Sequence, residues 1–276
     1  MNQSLEKFLH WLEGTMTTPT TFGWFHIMWL VITVAACAVI YVVRKKISQR
    51  AVSNILLITG IVVILFEVYK QVVFSSFHYV GGGESYFEYS WYTFPFQFCS
   101  TPMLVMLLAG IFRKGWFNDT LKSYLATFAL FAGLCVMIYP GDVFVSMIGI
   151  NIQTMVCHSS MIVIAFLLWS TNSVQFNFKT LLKALCVFVV FVALALGMNI
   201  LWHFYGDPAQ TFNMFYISPY TPCTLPLLSM IYPKVPYFLF LIIYIVGFAL
   251  AAMIMLLIAM LGHTIQKKVD SKKGNA

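Results

Sequence analysis

Charge is what this sequence lacks most. Only 9% of its 276 residues are Asp, Glu, Lys or Arg, against about 25% in an ordinary soluble domain. With 61% hydrophobic residues, most of the chain cannot face water, which excludes a soluble globular domain. Paired cysteine motifs are also absent. The six cysteines lie scattered in apolar stretches, with no CxxC and no zinc-ligand spacing, so neither a disulfide framework nor a metal site is expected. Nor is a cleavable signal peptide expected: Glu6, Lys7 and Glu13 precede the first strongly apolar run, and basic residues follow it. No internal repeat or low-complexity segment stands out. The net charge of +7 does not point to nucleic acid, because the basic residues sit in short clusters between apolar runs.

What is there is a series of long apolar windows. A membrane span needs roughly 20 apolar residues, and seven windows qualify, at about 24–43, 52–73, 95–112, 121–138, 152–170, 180–204 and 236–262. The fold class read from them is all-α, a polytopic membrane helix bundle of about seven transmembrane helices, in a single domain covering 1–276. Leu5, Phe8, Leu9 and Leu12 recur at helical spacing, which predicts a short interfacial helix over about 4–13. A basic tail over about 264–276 closes the chain.

The loop charges set an orientation. Arg44, Lys45, Lys46 and Arg50 follow the first span; Arg113, Lys114 and Lys122 lie between the third and fourth; Lys179 and Lys183 lie between the fifth and sixth; Lys267, Lys268, Lys272 and Lys273 end the chain. With seven spans all of these share one side. The other side carries Glu6, Glu13, Glu84, Glu88, Asp142 and Asp207 against Lys7 and Lys234. The positive-inside rule therefore puts the N-terminus outside and the C-terminus in the cytoplasm of a multi-pass membrane protein. The outer loops are the long ones. Residues 74–94 hold Gly81-Gly82-Gly83 and then Tyr86, Phe87, Tyr89, Trp91 and Tyr92; residues 205–235 hold Pro208, Pro219, Pro222, Pro226 and Pro233. Their aromatic rings favour the membrane interface, so both loops should fold back onto the outer leaflet. The glycine run lacks the strand, helix and Lys-Ser/Thr context of a phosphate loop.

Ionisable groups within spans are costly and draw attention to function. Glu67 and Lys70 lie near the outer end of the second window, Cys99 at the start of the third, His158 about two turns into the fifth, and Asn199 and His203 near the end of the sixth. Topology gathers them, with His26, in the outer half of the membrane. Each also has a plainer reading. Glu67 and Lys70 neutralise each other as a pair, Asn199 is an interhelical hydrogen-bonding residue, and His26 and His203 are interfacial. Cysteine is commonly a small buried hydrophobe, the reading given to Cys37, Cys135, Cys157 and Cys186. Cys99 has a different setting: it follows Pro95 and Gln97 and precedes Ser100 and Thr101. Pro95 suits a first helical turn, which would set Cys99 near a helix N-terminus, where thiolate is favoured. His158, the only histidine deep within a window, is placed to take the thiol proton.

The segment Phe94-Pro95-Phe96-Gln97-Phe98-Cys99-Ser100, followed two spans later by His158, resembles the YwaF-type integral membrane family. Its animal relatives include a Cys/His acyltransferase that remodels ether phospholipids. Phe212-Asn213-Met214-Phe215-Tyr216-Ile217-Ser218-Pro219 is similar to an Asn-Tyr-Met-Phe-Leu stretch of that family, with Met214 where the family has Tyr. The resemblance implies Cys99 as acyl-accepting nucleophile and His158 as general base, with Asn199 in the polar layer and Asn213 in the outer loop. It also implies a lipid acyltransferase or transacylase that moves an acyl group from phospholipid to lysophospholipid through a thioester on Cys99. The outward-facing topology predicts no need for coenzyme A, and no cofactor is expected. Lys70, or Gln97 with backbone N–H groups, would stabilise the oxyanion. Two other functions fit the same residues: a lipid ester hydrolase on the same dyad, and a transporter or lipid-binding protein with Glu67, Lys70 and His158 lining a path. No inverted repeat or pair of broken spans favours the transporter.

Overall fold

The computed structural model describes residues 3–81, 84–141 and 143–274. Gly82, Gly83 and Asp142, which entered the loop and charge readings, lie outside the described residues. The chain is mostly helical, and six of its helices are long and apolar enough to cross a membrane. An amphipathic α1 (Gln3–Glu13) leads into α2 (Trp24–Val43) and α3 (Gln49–Val73). Ser48 starts α3 in the usual way, its side chain accepting from the Ala51 N–H at 3.2 Å. A hairpin of β1 (Phe77–Gly81) and β2 (Glu84–Phe87) follows, antiparallel with Phe77 opposite Phe87. The sequence reading foresaw a folded loop here but not its strands.

The helix α4 (Thr101–Ile111) departs from the expected third window. It is apolar but only 11 residues long, roughly 16 Å at 1.5 Å per residue, and it starts six residues after Pro95. The proline in its first turn is Pro102, whose missing N–H removes a donor the helix start could not have paired. Residues 94–100 form turns instead, because the Gln97 carbonyl accepts from both Ser100 N (2.9 Å) and Thr101 N (3.0 Å). Cys99 therefore precedes the helix rather than lying within its first turn.

The chain continues through α5 (Gly115–Tyr124), a π turn over Leu125–Ala129, and α6 (Leu130–Ile138), which together make one long span. Then come α7 (Ile148–Ser170) and α8 (Phe178–Tyr205), the short α9 (Leu228–Ile231), and α10 (Tyr237–Gly274). Burial separates centre from periphery. In the most apolar stretch of α5–α6 and of α7, 67% of residues are inside the protein, against 11% for α2 and 17% for α10. The last two present Val31, Val34, Val42, Leu250 and Leu261 outward, a surface that only lipid can cover favourably. The core between them holds Tyr124, Phe128, Met161, Phe188, Phe215 and Tyr244, all essentially fully buried. Helices α3 and α4 approach so closely that Gly60 lies against the Leu107 backbone and Gly110 against the Leu57 backbone. That contact sets the spacing of α3 and α4.

Candidate active site

At the centre of the site is Glu67, 5% exposed. Its Oε1 accepts from Lys70 Nζ at 3.1 Å and Gln71 Nε2 at 2.6 Å, and its Oε2 accepts from Gln153 Nε2 at 3.0 Å. Three donors satisfy a carboxylate that would otherwise be prohibitively placed. Lys70 and Gln71 reach it because residues at i+3 and i+4 share a helix face. Gln153 arrives across the α3–α7 seam. Gln71 goes further, donating also to the Thr93 carbonyl (3.1 Å) and accepting from the Tyr89 hydroxyl, so the network ties the helices to the segment that leads into Cys99. Sequence reading missed both glutamines. Gln71 was findable from its spacing to Glu67; Gln153, on another helix, carried no such signal.

His158 is 6% exposed. Its Nδ1 lies 2.7 Å from the Thr154 carbonyl oxygen. A carbonyl only accepts, so Nδ1 carries a proton and donates it there. The other nitrogen, Nε2, is buried without a hydrogen-bond partner among the described residues. Buried polar atoms are nearly always paired, so this open lone pair on an oriented ring stands out. Cys99, half-buried, belongs to the same neighbourhood. The thiol of Cys157, adjacent to His158 in α7, reaches the Cys99 carbonyl at 3.8 Å. Below the turn, Thr101 Oγ1 and the Tyr124 hydroxyl lie 3.1 Å apart. No Cys99–His158 hydrogen bond is formed.

The other singled-out residues are engaged elsewhere. Asn199, 2% exposed, grips the outer segment through both ends of its amide: Nδ2 donates to the Met214 carbonyl (2.9 Å) and Oδ1 accepts from Met214 N–H (2.7 Å). Gln97 does the same one step along, donating to the Asn213 carbonyl (3.0 Å) and accepting from Phe215 N–H (2.8 Å). One of its two N–H donors is therefore committed to the loop. Asn213 folds the loop on itself, accepting from Ser218 N–H at 2.9 Å and donating to the Pro222 carbonyl at 3.2 Å. Phe215 and Tyr216 both adopt φ of 57°, a left-handed conformation that costs non-glycine residues about 1 kcal/mol or more each and persists only under such grips. His203 is exposed and stacks on Tyr220 with ring centroids 3.6 Å apart. His26 is fully buried, donating through Nε2 to the Met137 carbonyl at 2.9 Å while Nδ1 accepts from Phe22 N–H. Both sit apart from the Glu67 network.

The Asn199 clamp has a measurable consequence. Asn199→Leu keeps the side chain's size but strands the buried N–H and C=O of Met214, at about 1–3 kcal/mol for each orphaned group. Thermal unfolding of the purified protein should shift down, and limited proteolysis should cut within 205–235 several-fold faster. An unchanged melt with an unchanged cleavage rate would mean that the loop is held by other contacts.

Among the described residues no group of three or more His, Cys, Asp and Glu side chains is arranged to hold a metal ion. No curated protein and no solved structure matches the chain. The model of the TMEM164 family matches residues 21–261, nearly the whole helical bundle including every residue of the Glu67 network and the Cys99–His158 neighbourhood. This chain is a multi-pass integral membrane protein and belongs to the TMEM164 family.

Proposed function

We propose that the protein is a membrane-embedded lipid acyltransferase that uses Cys99 as nucleophile and His158 as general base. The single observation that carries this reading is the buried, unpartnered Nε2 of His158, its ring oriented through Nδ1 by a backbone carbonyl, beside the turn that bears Cys99. A base oriented by a third group is the arrangement that activates a thiol. In the first step the Cys99 proton passes to Nε2 and the sulfur attacks the ester carbonyl carbon of a phospholipid. The C–O bond then breaks, and the departing lysolipid oxygen takes the proton back from Nε2. In the second step a lysolipid hydroxyl gives its proton to Nε2 and attacks the thioester, and the C–S bond breaks as that proton returns to sulfur. Lys70, on the neighbouring face of α3, is the candidate to stabilise the tetrahedral oxyanion. Gln97, with one N–H held by the Asn213 carbonyl, has a second N–H for the same role.

The proposed topology has seven crossings, with residues 94–100 completing the outer half of the third beneath the two long loops. Irregular backbone at membrane depth is tolerated where protein covers it, as the loop contacts of Gln97 and Gln71 do here. The site then opens toward the outside, and the donor is a phospholipid of that leaflet. Coenzyme A thioesters are cytoplasmic solutes whose charged head does not readily cross a bilayer. The test is intact-protein mass spectrometry after incubating purified protein with phospholipid or with acyl-coenzyme A as sole donor. Phospholipid should add one acyl mass that hydroxylamine removes, in wild type and not in Cys99→Ala. Labelling from acyl-coenzyme A alone would overturn the outward-facing site, and no adduct from either donor would overturn the covalent mechanism. Hydrolysis on the same dyad would appear in the same experiment as free fatty acid released without a lysolipid acceptor.

A further inference from the structure

At the end of the bundle remote from Cys99, the start of α3, the turn between α4 and α5, and the connection from α7 to α8 enclose a cavity of about 610 Å³. Four cations line it: Arg50, Arg113, Lys114 and Lys122. The only carboxylate among its lining residues is that of Asp119, which is half-exposed and already accepts from Lys183 Nζ at 3.3 Å.

A basic rim alone is what the positive-inside rule leaves at any cytoplasmic loop, and Arg50, Arg113 and Lys114 are exposed as that rule expects. Lys122 is different. It lies one full turn and more inside α5, is 4% exposed, and has no hydrogen bond or ion pair among the described residues. Lysine ordinarily extends its ammonium to water, and here the stem is buried while the ammonium, not itself enclosed, meets the cavity rather than a hydrogen-bond partner among the described residues. Asp119 is the one carboxylate on the same wall, against the three further cations that line it.

We propose that this cavity binds a phosphate-bearing anion, the headgroup of an acidic phospholipid or a free phosphate, with Lys122 as its innermost ligand. Two arginines at the mouth offer the forked donors that match phosphate oxygens, and Lys122 supplies a compact point charge behind them. Ser53 and Asn118 are also on the wall, but the Ser53 hydroxyl and one Asn118 N–H already donate to the Gln49 and Ala109 carbonyls, so the cations carry the binding. The site is independent of the chemistry at Cys99, and transfer activity is read separately.

Isothermal titration of the full-length protein in neutral detergent tests it, with inorganic phosphate and short-chain dihexanoyl phosphatidic acid as probes. Phosphatidic acid should bind, and Lys122→Met should weaken it by about 10- to 100-fold, the loss expected for one charge-assisted hydrogen bond. Lys122→Arg should restore most of the affinity. Competition by inorganic phosphate would assign the site to the phosphate group alone, whereas binding of the lipid without competition would assign it to a phospholipid headgroup. Without added anion, Lys122→Met should melt no lower than wild type, because it keeps the buried stem and removes one of four cations crowded around the cavity. Should Lys122→Met fail to fold, Arg50→Gln with Arg113→Gln, both at exposed positions, carries the test with the same expected loss. Failure of both probes to bind wild type, or equal binding by wild type and these variants, overturns the proposal.

Discussion

Cys99→Ser should lower acyl transfer by about 1,000-fold or more, equivalent to about 4 kcal/mol of transition-state stabilisation, with the fold intact. The substitution changes one atom at a half-buried turn and removes no contact that the turn depends on. That turn is held by its backbone, through the Cys157 thiol on the Cys99 carbonyl and the Gln97 carbonyl on Ser100 and Thr101. What it removes is the nucleophile: a serine hydroxyl is far less acidic than a thiol and reacts only with much stronger base assistance. His158→Ala should fall by a comparable factor, since Nε2 is the acceptor for the thiol proton. The double variant should be little worse than either single one, because residues acting as a unit are strongly non-additive. Initial rates on a defined phospholipid and lysolipid pair, with each variant's melting profile alongside, check this. Cys99→Ser retaining most of its activity in a preparation free of wild type would refute covalent catalysis. Rate losses that simply multiply in the double variant would separate the two residues.

Much of this site was legible from one-dimensional reasoning, and the part that was not has a single cause. Hydropathy fixed the long helices α2, α3, α7, α8 and α10, because 20 or so apolar residues in lipid leave the backbone no alternative to a helix. Counting residues inward from the loops then placed Cys99, His158, Glu67, Lys70 and Asn199 at a common depth. Depth carries no information about which way a side chain faces. Asn199 shares the depth of Glu67 but points to the Met214 backbone, and His203, one turn on, points outward to Tyr220. Gln153 had the opposite fate. It is an unremarkable amide in sequence, yet it meets Glu67 because α3 and α7 pack along the faces that carry them. Tertiary contact of that kind is not written in the spacing of either helix. The misplaced start of α4 is a different lesson. Two prolines seven residues apart, Pro95 and Pro102, suit a first turn equally well, and only the hydrogen bonds of Gln97 with the outer loop decide that the chain stays irregular until Thr101.

The scaffold makes its own prediction, and it is nearly as large. Gly110→Ala should lower activity by about 100-fold and lower the melting temperature. A Cβ built on Gly110 would lie 2.5 Å from Leu57 N and 2.6 Å from its Cα, and one on Gly60 would lie 2.6 Å from Leu107 N. These are backbone atoms, so no rotamer change relieves the clash. Helices α3 and α4 must separate, and forced expansion of a packed interface typically costs about 1–3 kcal/mol. Close approach through small residues is a principal source of association between helices in lipid, where hydrophobic burial contributes little. The functional loss has a geometric origin. Glu67, Lys70 and Gln71 are on α3, and Cys99 lies in the turn that leads into α4. Separating the helices therefore shifts the turn that carries the thiol relative to α3 and its polar network, and a misplacement of about 1 Å is enough to cost about 100-fold in rate. Gly197 provides the control on α8, since a Cβ there meets nothing within 4 Å. Gly197→Ala should leave both rate and melting temperature close to wild type. Equal behaviour of the two alanine variants would show that the α3–α4 contact does not set the position of Cys99.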